Sequence, residues 1–199
     1  MIVYVETNFI FELAFLREEH ESCETILALA NSKDLDLALP AFSIGEPYEA
    51  LVRRHRQRKE VHHKLTSEIQ ELSRSKPYQE ATDRLQELTA FLLDSGEDEK
   101  QRLDETLDRV VSAAEIIPIG LDIIRLGMTY RNTFGLTAQD SIVCASVMSH
   151  LRRPIGSEAL FVTKNSKDFA SPSIRAELDD CRCKLFTTFT SALAYLQHQ

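Results

Sequence analysis

Short strand-like apolar runs alternate with segments of helical period along most of this chain. That alternation constrains the fold more than any other feature. The strand-like runs fall at residues 2–5, 35–39, 116–119, 159–163 and 184–187. The first, Ile2-Val3-Tyr4-Val5, is apolar on both faces, as a central strand of a parallel sheet should be. Helical patterns follow at about 8–16, 22–30 and from about 44, then at 122–134, 137–151, from about 171 and at 191–196. Pro47 is expected in a first helical turn, Gly135 just past a helix end, and Pro154 beyond the helix at 137–151. Strands alternating with helices predict an α/β fold: a mostly parallel central sheet of four to five strands, flanked by helices.

The middle of the chain has no strand signal. Val61, Leu65, Ile69 and Leu72 recur at helical spacing, as do Leu85, Leu88 and Leu92, and then Leu103, Leu107, Val110, Val111 and Ala114. Breaks are expected near Lys76-Pro77 and Ser95-Gly96. Two or three amphipathic helices over about 53–115 therefore form a helical insertion within one domain spanning 1–199. A chain of 199 residues can bury one proper core.

Composition excludes several classes. The hydrophobic fraction of 43% and charged fraction of 27% are ordinary globular values and argue against disorder. No apolar run approaches the roughly 20 residues needed to cross a bilayer. The start, Met1-Ile2-Val3-Tyr4-Val5-Glu6, lacks the basic flank of a signal peptide, so a cytoplasmic protein with no membrane partner is expected. Cys23 and Cys144 sit in helical patterns, and Cys181-Arg182-Cys183 is too tight for a zinc knuckle, so all four cysteines are expected as reduced thiols. A net charge of −8 excludes a general nucleic-acid coat protein. It does not exclude a nuclease, because acids gathered at a metal site add to the negative total.

Four carboxylates lie at the edges of the apolar runs: Glu6 after the first, Glu46 shortly after the second, Asp140 at the start of an apolar helix, and Asp168 after the run at 159–163. In a parallel sheet the reactive crevice forms at the carboxyl ends of the strands. Acids gathered there resist desolvation and repel one another, and a divalent cation relieves both problems. Hard cations prefer such oxygens, and a bound one lowers the pKa of water and stabilises charge on a phosphoryl group. Each motif also has a plainer reading. Glu6-Thr7-Asn8 suits an ordinary helix cap. Ser43 with Glu46, and Thr137 with Asp140, have the spacing of a capping box. Glu49, a turn beyond Glu46, is its rival. Thr163-Lys164-Asn165-Ser166-Lys167-Asp168 suits a polar loop, although Phe169 would anchor it. In the functional reading Thr7 and Asn8 orient the carboxylates, and Thr163 and Asn165 hold water or phosphate.

Val5-Glu6-Thr7-Asn8, Glu46, Gln139-Asp140-Ser141-Ile142-Val143-Cys144-Ala145 and Thr163-Lys164-Asn165-Ser166-Lys167-Asp168-Phe169 together resemble the PIN-domain family, over about residues 1–52 and 116–199. That resemblance implies a PIN-like fold and an endoribonuclease dependent on Mg²⁺ or Mn²⁺. Glu6, Glu46, Asp140 and Asp168 would form its acidic metal site, supported by Thr7, Asn8, Thr163 and Asn165. It implies RNA as substrate, with an antitoxin protein and a second copy of the chain as candidate partners. The family normally carries Asp where this chain has Glu6. The longer side chain motivates a second expectation, a PIN-like module that binds protein or RNA without catalysis. A phosphotransfer enzyme ranks lower, because the first strand ends without a paired second Asp.

Arg53, Arg54, Arg56, Arg58, Lys59 and Lys64, with His55, His62 and His63, make a basic stretch soon after Glu46. They are candidate phosphate contacts for RNA. The competing expectation pairs them with the acidic stretch at 94–108, which holds Glu97, Asp98, Glu99, Asp104 and Glu105.

Overall fold

The computed structural model describes residues 1–153 and 158–198, and the side chains among them except those of residues 80, 83 and 87. Residue 154 lies outside this range, so the expectation attached to Pro154 does too. The described residues gather into two compact units, one formed by residues 1–47 and 105–199 and the other by residues 48–104.

The first unit holds five strands: β1 (Ile2–Val5), β2 (Asp36–Pro40), β3 (Ala114–Ile117), β4 (Ala159–Val162) and β5 (Cys183–Phe186). All pair in parallel, in the order β3-β2-β1-β4-β5. Burial follows that order. Every residue of β1 and β4 is buried, whereas the outer strands β3 and β5 are partly open. The first three strands run outward to one side of β1 and the last two to the other. The order therefore reverses between β1 and β4, where a parallel sheet opens its crevice.

Helices α1 (Thr7–Ala14), α2 (His20–Asn31), α5 (Leu121–Phe134), α6 (Ala138–Leu151), the single turn α7 (Ser166–Phe169), α8 (Pro172–Asp180) and α9 (Phe189–Gln197) cover the sheet. α6 is apolar almost all round and almost wholly buried, its Val143, Cys144, Val147 and Met148 packing with Tyr4 of β1 and Phe161 of β4. Gly135 takes a left-handed conformation (φ 69°) directly after α5 and ends it, as expected. The four cysteines are free thiols. No helix among the described residues is long and apolar enough to cross a membrane.

Two long helices, α3 (Phe42–Ser73) and α4 (Gln79–Ala113), run between β2 and β3. Their distal parts form the second unit, an antiparallel hairpin joined by a 3-10 turn at Lys76–Tyr78. Tyr48 bonds Asp104, and Arg58 bonds Ser95, which sets the antiparallel register.

Several local expectations need correction. Two helices occupy the middle, and Ser95-Gly96 does not break α4. Gly96 serves a close approach instead: a Cβ there would meet the His55 ring at 2.5 Å. Pro47 sits in the second turn of α3, not the first, because the helix begins at Phe42. β3 begins two residues earlier than expected, at Ala114, where parallel pairing to Leu37 starts. The segment after β4 coils into α7, where a loop was expected.

Candidate functional site

The register of the two central strands brings the first site residues together. Val5 pairs with Val162, so Glu6 and Thr163 leave the sheet side by side at its carboxyl edge. Glu6 is extended (φ −133°) and caps α1, accepting from the Asn8 backbone N–H at 2.9 Å and from Asn8 Nδ2 at 2.6 Å. It is only 6% exposed. Burial raises its carboxyl pKa to about 7, helped by the Glu46 charge and opposed by hydrogen bonds from Asn8 and Thr163. Glu6 is therefore a helix cap and at the same time a buried acid under the influence of a second acid, Glu46.

Glu46 lies on the second turn of α3, at the end of the strand next to β1. The Thr7 hydroxyl donates to its Oε2. One turn earlier on α3, Ser43 is buried, and its Oγ finds no hydrogen-bond partner among the described residues.

Asp140 is reached from the other direction. Thr137 caps α6, accepting from the Asp140 N–H at 3.1 Å and donating to Asp140 Oδ2 at 2.5 Å. The other oxygen, Oδ1, accepts from Asn165 Nδ2 at 3.1 Å. The Asn165 N–H donates to Thr163 Oγ1 at 3.0 Å, and Thr163 donates to Glu6. A string of bonds thus runs from Asp140 through Asn165 and Thr163 to Glu6, with Glu46 and Thr7 beyond. Asp168 is half-buried on α7, the turn that directly follows Asn165. Glu49, the rival of Glu46, is exposed.

One supporting pair was missed in the sequence. Glu12, fully buried on α1, accepts from the Glu19 N–H at 2.8 Å and from Lys164 Nζ at 2.8 Å. That ion pair anchors the residue between Thr163 and Asn165. The available signal was an acid inside the apolar stretch Phe9-Ile10-Phe11-Glu12-Leu13-Ala14, where a buried charge demands a partner.

The basic stretch belongs to the hairpin unit. Arg54 reaches Glu99 at 3.1 Å and Arg58 reaches it at 2.8 Å, so these two side chains take the competing expectation, pairing with the acidic stretch. Arg53, Arg56, Lys59 and Lys64 are exposed.

Carboxylate and hydroxyl oxygens are the donors a hard divalent cation prefers. A buried Glu6 beside a second carboxylate is a place short of positive charge. In kind, the donors fit such a cation. In number they are spread: among the described residues no three His, Cys, Asp or Glu side chains are grouped to hold a metal ion.

Comparison with known proteins adds three findings. No curated protein matches the chain. A solved structure that is similar is the crystal structure of VapBC2 from Rickettsia felis bound to a DNA fragment from their promoter, at 17% identity and a TM-score of 0.47, over 94% of this chain and 98% of that one. The family model for the PIN domain matches residues 3–169. With that match, a five-stranded parallel sheet and an acidic carboxyl edge, the chain belongs to the PIN-domain family.

Proposed function

We propose that this protein is a divalent-metal-dependent endoribonuclease acting at the carboxyl edge of β1 and β4. PIN domains are generally nucleases, and membership of that family supports the reaction class. The observation that carries the assignment to this edge is the buried Glu6 carboxyl at the end of β1, with Glu46 bonded to the adjoining Thr7. Glu6 and Glu46 would hold Mg²⁺ or Mn²⁺, with Asp140 and Asp168 completing the acidic set. A cation there supplies a water of lowered pKa and neutralises charge on the phosphoryl group.

The remaining work falls to the chain's own groups. Asn8 and Thr163 fix both oxygens of Glu6 and keep its carboxyl aimed along the edge. Thr7 fixes Glu46. Thr137 and Asn165 hold one oxygen each of Asp140, which limits its rotation. The Lys164–Glu12 pair keeps Thr163 and Asn165 in register with β1. RNA as substrate and an antitoxin as partner rest on family membership alone. Arg53, Arg56, Lys59 and Lys64 are the exposed candidates for phosphate contact in the hairpin unit.

Purified protein with Mn²⁺ is expected to cleave single-stranded RNA, and Asp140→Asn is expected to lower the rate at least a hundredfold, a range typical of losing a transition-state interaction. Equal cleavage by both proteins would refute the assignment. A second reading is favoured by one observation, that among the described residues no three His, Cys, Asp or Glu side chains are grouped to hold a metal ion. It is a PIN-like binding module without catalysis. No uptake of Mg²⁺ or Mn²⁺ at millimolar concentration, with no cleavage of RNA, would select it.

A further inference from the structure

Helix α1 is buried on every side but one. From Thr7 to Phe15 only Asn8, Phe11 and Phe15 are open to solvent, each half-buried. They fall at steps of three and four, so they share one face of the helix. The stripe starts at the candidate site, because Asn8 donates to both oxygens of Glu6. Seven residues of helical rise carry it roughly 10 Å away from there.

Two of the three open residues are aromatic. Their rings stack, with centroids 5.6 Å apart and planes 27° from parallel. The Arg17 guanidinium lies over both, 4.8 Å from the Phe11 ring centre and 5.6 Å from that of Phe15. The backbone bends to make this contact. The chain leaves α1 through a Schellman-type turn, in which the Arg17 N–H donates to the Glu12 carbonyl at 3.1 Å. The left-handed position of that turn falls to Leu16 (φ 49°), where glycine is usual. Leu16 gains little burial in return, since it stays 59% exposed. Backbone strain of this kind gathers where function uses it. Here it returns Arg17 over the two rings. The next residue, Glu18, directs its carboxylate to Lys164 at 3.5 Å.

The chemistry of the stripe selects its occupant. Stacked aromatic rings under a guanidinium make a flat platform, and the unpaired bases of a single strand stack on such platforms whatever their identity. The cation also suits the phosphates on either side of the base. A protein helix asks instead for an apolar groove, and this stripe is one side chain wide with a charge at its end.

We propose that Phe11, Phe15 and Arg17 form a stacking subsite for an unpaired base of single-stranded RNA, a short step along the strand from the phosphodiester group at the Glu6 edge. The choice of RNA rests on the nuclease reading above.

Binding measured apart from cleavage tests it. The full chain is titrated in EDTA against a labelled single-stranded RNA, and against an abasic strand of the same length, with fluorescence anisotropy as the readout. Phe11→Leu keeps the apolar bulk and removes the ring. It is expected to weaken RNA binding by about fivefold or more, the lower end for a lost base stack, and to leave binding of the abasic strand unchanged. Arg17→Gln alters only an exposed side chain and is expected to lose more on RNA than on the abasic strand. Should Phe11→Leu lower the thermal midpoint by circular dichroism, Arg17→Gln decides alone. Wild-type binding of RNA by both variants overturns the subsite and leaves the stripe to a protein partner. Equal losses on the two strands overturn it as well, because they report phosphate contacts without a base. Cleavage by wild type in Mn²⁺ is scored separately. Cleavage with no effect of either substitution sinks the subsite alone, whereas the expected losses without any cleavage support the subsite and sink the nuclease reading.

Discussion

Glu6 ties the stability of the protein to pH. Its native pKa, about 7, lies above the ordinary value of 4.5, so the folded state binds more protons than the unfolded state between those values. Stability contributed by the neutral carboxyl is full below pH 4.5 and is lost as pH rises through 7. The loss by pH 8 is on the order of 3 kcal/mol. Glu6→Gln keeps an acceptor for Asn8 and removes the charge. In denaturant titrations it is expected to exceed wild type at pH 8 by that order and to converge with it near the acid end of the window. Parallel curves across the range would contradict the burial argument. Thr163 acts on the same carboxyl, donating to Glu6 while accepting from the Asn165 N–H. Thr163→Val is expected to cost about 1–2 kcal/mol and to push the Glu6 titration higher, followed by the same pH series.

At the scale of elements, the joint between α1 and the end of β4 depends on one ion pair. Lys164→Met leaves Glu12 buried with its charge uncompensated, and the expected cost is roughly 2–3 kcal/mol in equilibrium unfolding. A loss within experimental error would contradict the anchoring role given to this pair. The end of α5 is set by Gly135, whose φ of 69° suits glycine, so Gly135→Ala is expected to cost about 1 kcal/mol in the same assay. That helix end was legible because glycine after an amphipathic run has one common use. The Thr137 cap of α6 was legible for the same kind of reason, a hydroxyl three residues before an acid. Gly96 was misread because glycine also permits close approach, and only the partner, His55, tells the two apart. The early start of β3 was hidden because strand limits follow pairing with β2, which apolar content does not reveal.

At the scale of the whole molecule, alternation of strands and helices sufficed for a parallel α/β fold, and four short motifs in order sufficed for the family. The strand order was not legible, since it depends on which helices cross which face. It matters because it places β1 beside β4 and so Glu6 beside Thr163. The string of bonds from Asp140 through Asn165 and Thr163 to Glu6 follows from that adjacency, whereas the helical turn that carries Asp168 was not suggested by the polar composition of residues 163–168. The basic stretch divided for a reason the sequence also contained: Glu99 lies level with Arg54 and Arg58 once the hairpin closes.

The central claim is that the Glu6 and Glu46 pocket accepts a divalent cation, and calorimetric titration of the full chain with Mn²⁺ at pH 8 tests it most directly. Wild type is expected to bind with saturable heat and to gain thermal stability, and Glu6→Gln to lose at least tenfold in affinity. No uptake at millimolar Mn²⁺, or equal uptake by Glu6→Gln, would contradict the account.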